Sequence, residues 1–401
     1  MQNVAKFALS IVLFAVSIPS LSVKAEEVQS SPDYSQYIKE AIEQEILLDR
    51  GAPASSKGIS KLNDSQFNLA VDNIEATPSV TTATKQKIAQ LENANVVVMD
   101  MNENGELVSA TSSKDGDIKS NFEEVTTATQ TTYNDYSNAT VTNLTYGLVA
   151  TNKLGFTTQA LISNQGNTSG KETGAFHRLQ TPASSAKAIY NGVVADSIVL
   201  PTYNIEGATN LGETAYMYTG VDDFAEVGFE SVKSQSTPTG WYPFFHAKAD
   251  HSIASGDDNG YKPSSNVTYV DRSKKFVNGA TVSGYKVYYY STDSTLTIRE
   301  QINYSDIYVV RFTGKTSVGR SVKRLTAIAM NGNPPVNAPF HYGFTTPVVW
   351  NNMRFLTNNS ASSVYPSSVA SLNNDVWVHG GKINYMNNTS SHTEQYTFSV
   401  N

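Results

Sequence analysis

Cysteine is absent from all 401 residues. That absence excludes disulfide scaffolding, cysteine proteases, thiol redox chemistry and cysteine-ligated zinc. The fold must be stabilised by apolar burial, which a chain of this length can supply. Basic charge is scarce as well, with 29 Lys and Arg against 36 Asp and Glu and a net charge of −7. Nucleic acid and anionic lipid both need a basic footprint, so neither is expected as a partner. After the first two dozen residues there is no apolar run long enough to span a bilayer, and no membrane insertion is expected. His-Glu-x-x-His, the Gly-x-Ser-x-Gly elbow and a phosphate-cradling Gly-rich Lys-Ser/Thr loop are also missing. Zinc protease, serine hydrolase and nucleotide-binding readings therefore lack a motif.

What is present begins with an address. Lys6 precedes an apolar run from Phe7 to Val16, and small residues at Val23 and Ala25 stand before Glu26-Glu27. This order of charge, apolar core and cleavage site predicts a secretory signal peptide over residues 1–25 and an extracellular product. The run is too short to act as an anchor, and the closing QYTFSVN offers no hydrophobic tail. A cysteine-free exported chain suits a Gram-positive source. The Asn-x-Ser/Thr triplets at Asn138, Asn143, Asn266 and Asn388 are expected by chance in so Asn- and Thr-rich a chain.

Charge and composition divide the remainder. Residues 26–118 carry 16 acidic and 7 basic residues, whereas residues 119–401 carry 20 of each. The expected organisation is an acidic α+β N-terminal module over 26–118, a Thr/Asn-rich linker or first edge strand over 119–145, and a β-sandwich over 146–401. In the module, Ser31-Pro32-Asp33 starts a helix with Tyr34, Tyr37, Ile38, Ile42 and Ile46 at helical spacing, and a second helix is expected over 84–93. Asn104-Gly105 between Val96–Met101 and Leu107-Val108 predicts a hairpin. The same stretch starts like a calcium loop at Asp100, Asn102 and Asn104, but Thr111 stands where the bidentate glutamate belongs.

Beyond residue 146 the pattern is uniformly β. Segments 188–200, 214–219, 225–232, 285–290, 295–302, 307–313 and 376–385 are short, aromatic or β-branched, and bounded by Gly, Asn, Asp and Pro. With no long amphipathic helix between them, they predict a mainly β, antiparallel jelly-roll sandwich. Arg311, Lys315, Arg320, Lys323 and Arg324 are expected to form a solvated basic face.

Several short motifs carry a resemblance. Tyr216-x-Tyr218-Thr219-Gly220, Glu226-x-Gly228, Gly240-Trp241-x-Pro243, the run Lys323–Ala329, Trp350-Asn351-Asn352 and His392-Thr393-Glu394-Gln395 resemble the YrpD-type family of exported Bacillus and Paenibacillus proteins over residues 170–401. The resemblance implies export and a sandwich similar to the concanavalin-type jelly roll of lectins and glucanases. It implies no activity.

The candidate chemistry centres on Glu226-Val227-Gly228-Phe229-Glu230. Alternation puts Glu226, Gly228 and Glu230 on one face and the apolar pair on the other. Jelly-roll glucanases carry Glu-x-Asp-x-Glu on such a strand; here Gly228 replaces the middle Asp. The two glutamate backbones lie roughly 13 Å apart along an extended strand, although long side chains can lean toward the roughly 5 Å of a retaining glycosidase. Tyr and Trp rings stack on sugar faces, and Trp241 in its Gly-Trp-x-Pro turn is expected to be exposed. His246 and His251 sit at an odd spacing that does not make a zinc pair. Asp257-Asp258-Asn259-Gly260 reads as a turn, with Asp257 and Asp258 the place for a structural calcium ion if one is held; no other cofactor is expected.

The expected function is binding of a carbohydrate or cell surface, with polysaccharide or cell-wall glycan as partner and Trp241, Tyr242, Glu226 and Tyr218 as contacts. The rival is a jelly-roll glycoside hydrolase or polysaccharide lyase with Glu226 as nucleophile and Glu230 as acid/base. A third class is a structural matrix or envelope protein.

Overall fold

The computed structural model describes residues 32–49, 81–103, 105–126, 142–143, 160–163, 174–183, 189–205, 213–221, 225–232, 240–248, 266–291, 295–313, 321–330, 342–357, 363–379, 381–388 and 392–400. The expected signal peptide, His251, Asp257, Asp258, Lys315 and Arg320 lie outside them. Among the described residues, no helix is long and apolar enough to cross a membrane.

Strand alternation produces two large sheets. Across the thirteen-stranded sheet the order runs Gly116–Asp117, Leu107–Ser112, Asn95–Met101, Asp306–Thr313, Thr295–Ile302, Thr281–Ser291, Tyr190–Val199, Val348–Asn351, Thr393–Val400, Gly381–Asn388 and Ala160–Ser163. Arg354–Thr357 pairs beside it with Tyr190–Val199 and with Ser363–Val364. The nine-stranded sheet runs Phe122–Thr126, Asn266–Asp271, Tyr242–Lys248, Ala225–Val232, Glu213–Val221, Val322–Met330, Gly174–Gln180, Asn373–His379 and Thr142–Asn143. Among the described residues, pairing is antiparallel except where Asn95–Met101 runs parallel to Asp306–Thr313. The protein is thus mainly β and sandwich-like, with few helices.

The period of two places the core. Val227 and Phe229 from one sheet, and Leu296, Ile298, Tyr285, Val287 and Tyr289 from the other, all enter a single apolar cluster between them. Each such side chain contributes about 1.5–3 kcal/mol on burial. The segment 376–385, expected as one strand, is two strands in different sheets. The break coincides with Gly380-Gly381.

Both expected helices are present. α1 spans Tyr34–Asp49, and α2 spans Thr82–Leu91 with Thr81 Oγ1 accepting from the Thr84 backbone N–H at 3.2 Å as its N-cap. Their apolar residues Ala41, Ile42, Ile46, Ile88 and Leu91 pack with Val96, Val98, Ile307 and Val309 on the outer face of the thirteen-stranded sheet. Residues 34–401 form one compact unit, and residues 95–126 contribute strands to both sheets. The cause is the 95–101 strand, which finds its partner inside the sandwich and draws the helices onto it. Phe122–Thr126 is an edge strand of the nine-stranded sheet. Asp100, first residue of the calcium-like run, is engaged by Arg311 through Nε at 2.6 Å and Nη2 at 2.8 Å.

Candidate functional site

Three cross-strand rows build the outer face of the nine-stranded sheet. Register aligns Lys323, Gly220, Glu226, His246 and Thr268 in one row and Leu325, Tyr218, Gly228, Phe244 and Val270 in the next. The third holds Ala327, Tyr216, Glu230 and Tyr242, with Arg272 just past the end of strand Asn266–Asp271. Tyr216, Tyr218, Tyr242, Phe244, Val270, Leu325, Ala327 and Phe176 form an apolar cluster here, separate from the core. Phe244 lies edge-on to Tyr216 at 5.4 Å and to Tyr218 at 5.9 Å, an arrangement that aromatic quadrupoles favour.

The glutamates share this face, and their partners pull them apart. Glu226 reaches across Gly220 to Lys323 on the far side of the neighbouring strand, where Nζ and Oε1 are 2.6 Å apart. Gly220 leaves the room: a Cβ there would come within 3.0 Å of Lys323 Cε and 3.1 Å of Glu226 Cγ. Glu230 faces the other way, past Tyr242, toward Arg272, whose Nη2 is 3.6 Å from Oε1. Arg272 is held there by Glu123, at 2.5 Å from its Nε, and by the Tyr242 ring at 4.9 Å. Lys323 likewise sits 5.4 Å from the Tyr218 ring centre.

Gly228, between the two acids, is closed to any side chain. Its φ is +156°, and a Cβ would lie 2.3 Å from the Met217 carbonyl oxygen and 2.6 Å from Tyr218 Cα. The middle acid of a glucanase strand has no space here.

Glu230 is fully buried, and neither carboxylate oxygen has a hydrogen-bond partner among the described residues. Burial pushes its pKa up to about 7, Arg272 works against that, and Glu123 adds to it. Arg272 Nη1 is also buried without an acceptor among the described residues. Glu226 is nearer the solvent, its side chain 12% exposed.

Three of the four expected contacts, Tyr218, Glu226 and Tyr242, therefore meet on one face, and Trp241 does not join them. Contrary to the expectation of exposure, Trp241 is 0% exposed in the main core, with Nε1 donating to the Pro201 carbonyl at 3.0 Å. A backbone bridge to Phe276 turns it inward. Tyr218 and Tyr242 are buried too, so their ring faces are not open stacking platforms. His246 Nδ1 lies 2.7 Å from Thr268 Oγ1.

The expected solvated basic face is also corrected. Arg311 is half-buried against Asp100, Lys323 is buried on the outer face, and Arg324 points between the sheets. Arg324 contacts Glu394, donates to Tyr396 Oη at 3.0 Å and donates to His177 Nδ1 at 3.2 Å. His177 Nε2 in turn donates to Asn374 Oδ1 at 2.8 Å, which fixes a neutral ring. Burial and Arg324 hold its pKa well below the usual histidine value. This network is buried between the sheets.

Sequence reasoning missed Lys323, Arg272 and Glu123 as partners of the two acids. The period of two does put Lys323 on the outer face, but no local signal pairs it with a strand almost a hundred residues earlier. No protein-family model matches this chain, and no curated protein matches it either.

Proposed function

We propose that this chain is a secreted β-sandwich protein that holds a carbohydrate or cell-surface glycan without cleaving it, using the outer face of the nine-stranded sheet. Membership of the YrpD-type family of exported proteins belongs to the same proposal. The observation that carries the choice of holding over cleaving is the divergence of Glu226 and Glu230 toward Lys323 and Arg272, on opposite sides of their strand. A retaining hydrolase needs two carboxyl groups converging to about 5 Å on the scissile bond. The closed position at Gly228 removes the supporting acid as well. Entry to the face is at the Glu226 end, where the partly exposed carboxylate offers an acceptor to a sugar hydroxyl and Lys323 orients it from behind.

One observation favours the hydrolase reading. A carboxyl group with a pKa near 7 is what a general acid requires, and Glu230 has one. The deciding experiment incubates the purified chain from Glu26 onward with a polysaccharide panel and follows retention and reducing-end release together. Retention without release, weakened in Glu226→Gln and in Tyr218→Phe, is the expected result. Release of sugar that disappears in Glu230→Gln overturns it in favour of a hydrolase. Failure to retain any glycan overturns it in favour of a structural role.

A further inference from the structure

On the opposite side of the sandwich, α1 and α2 meet the outer face of the thirteen-stranded sheet and leave a cleft of about 270 Å³. We infer that this cleft binds a small hydroxylated organic anion, a carboxylate or phosphate ester no larger than one sugar unit. Its volume lies just under the roughly 300 Å³ at which small-molecule pockets begin, which limits the occupant to that size.

The charge inventory points to an anion. Lys87, Lys286 and Arg354 line the cleft against Glu45 and Asp196, an excess of one positive charge. Lys286 and Glu45 are in direct contact and satisfy each other. Lys87 Nζ is 3.9 Å from Glu45, beyond hydrogen-bonding distance, and its side chain is 36% exposed. Arg354 donates from Nη2 to Asp196 at 3.1 Å, and its side chain stays 20% exposed at the cleft. Two cationic donors, on different elements of the fold, thus remain for an oxyanion. Asp196 also accepts from Asn352 at 2.8 Å and stays half-exposed, which suits it to accept a ligand hydroxyl.

The backbone supplies an independent observation. Five non-glycine residues have positive φ among the described residues, and two of them, Tyr304 at 56° and Asn352 at 52°, line this cleft. Asn suits that conformation, but a bulky tyrosine there is an outlier. In the turn between Thr295–Ile302 and Asp306–Thr313, a position of positive φ ordinarily carries glycine. Here the Tyr304 ring is kept as a wall, with the Lys87 ammonium 5.5 Å from its centre. Gly284 lies so close beneath it that a Cβ would fall 2.1 Å from Cζ. Backbone strain of this kind persists where surrounding structure enforces it, and it concentrates at ligand sites.

The test is calorimetric titration of the full mature chain with glucuronate, glucose 6-phosphate, inorganic phosphate and glucose. Saturable one-site binding of glucuronate or of glucose 6-phosphate is expected, and whichever binds more tightly identifies carboxylate or phosphate as the anion. Glucose should bind at least tenfold more weakly. Lys87→Met and Arg354→Gln should each weaken binding about tenfold or more, the worth of one charge-assisted hydrogen bond. Lys87 is partly exposed, so its variant should keep the wild-type unfolding curve. The proposal is overturned if neither organic anion binds or if glucose binds equally well. It also fails if inorganic phosphate matches glucose 6-phosphate, or if folded Lys87→Met keeps full affinity.

Discussion

Under α1, the outer face of the thirteen-stranded sheet buries Lys286 and Arg299, and both find partners on the helix. Lys286 contacts Glu45, while Arg299 donates to Gln44 at 2.7 Å and lies 3.6 Å from Glu40. On the outer face of the nine-stranded sheet, Glu230 is just as buried and has no hydrogen-bond partner among the described residues. The first arrangement keeps Glu45 ionised: burial raises its pKa, but Lys286, Lys87 and Gln301 together lower it below the ordinary value. The second lets desolvation win, and the carboxyl group titrates near neutrality. Complementary charge on a packed helix fixes structure, whereas an acid left without a close partner is a group whose state can change.

The comparison can be broken most forcefully at Glu45. Glu45→Ala leaves the Lys286 ammonium buried and uncompensated, and should cost about 3–5 kcal/mol in denaturant unfolding. Glu45→Leu combined with Lys286→Met should recover most of that loss, because an apolar pair needs no compensation. A loss below about 1 kcal/mol for Glu45→Ala would show that α1 is not held as described.

Trp241→Ala should cost about 3–5 kcal/mol by emptying a core site. An exposed ring would cost almost nothing, so the same unfolding measurement checks its inward orientation.

Glu230 should make stability depend on pH. Its folded pKa of about 7 lies above the ordinary value of 4.5, so the folded state holds the proton longer. The contribution is therefore complete below about pH 4.5 and is lost as pH rises through about 7, a change of about 3 kcal/mol. Glu230→Gln should flatten that part of the stability profile. An unchanged profile would mean that Glu230 has a partner in solution. The smallest effect is expected from Glu123→Gln. Its pair with Arg272 is 57% exposed on the glutamate side, and its removal should cost under about 1 kcal/mol. It should nevertheless lower the Glu230 midpoint, read by NMR titration, because a like charge has been removed.

Much of the fold is legible in the sequence. Strands Ala225–Val232 and Thr295–Ile302 have the expected bounds because alternation and turn residues agree there. The common face of Glu226, Gly228 and Glu230 follows from the period of two alone. Trp241 was misplaced because a Gly-Trp-x-Pro context reads as an exposed turn, while its bridge to Phe276 is a long-range pairing that local pattern does not encode. Lys323 and Arg324 were misread for a related reason. Their partners Glu226 and Glu394 lie on distant strands, and alternation assumes one face is wet, whereas here both sheets bury charge on their outer faces as well.

The parallel pairing of Asn95–Met101 with Asp306–Thr313 has a consequence in time. Asp100 meets Arg311 only after 211 further residues have been made. A pairing at that separation must overcome its loop-closure entropy before it gains any stability, so it forms slowly. One edge of Asn95–Met101 pairs locally with Leu107–Ser112, but the other stays open until Asp306–Thr313 has been made. Until then α1 and α2 lack the surface they pack on, and the chain cannot lock early. A polypeptide with this connectivity closes its thirteen-stranded sheet only when a late segment returns to an early hairpin, so that sheet is completed by the chain's later part.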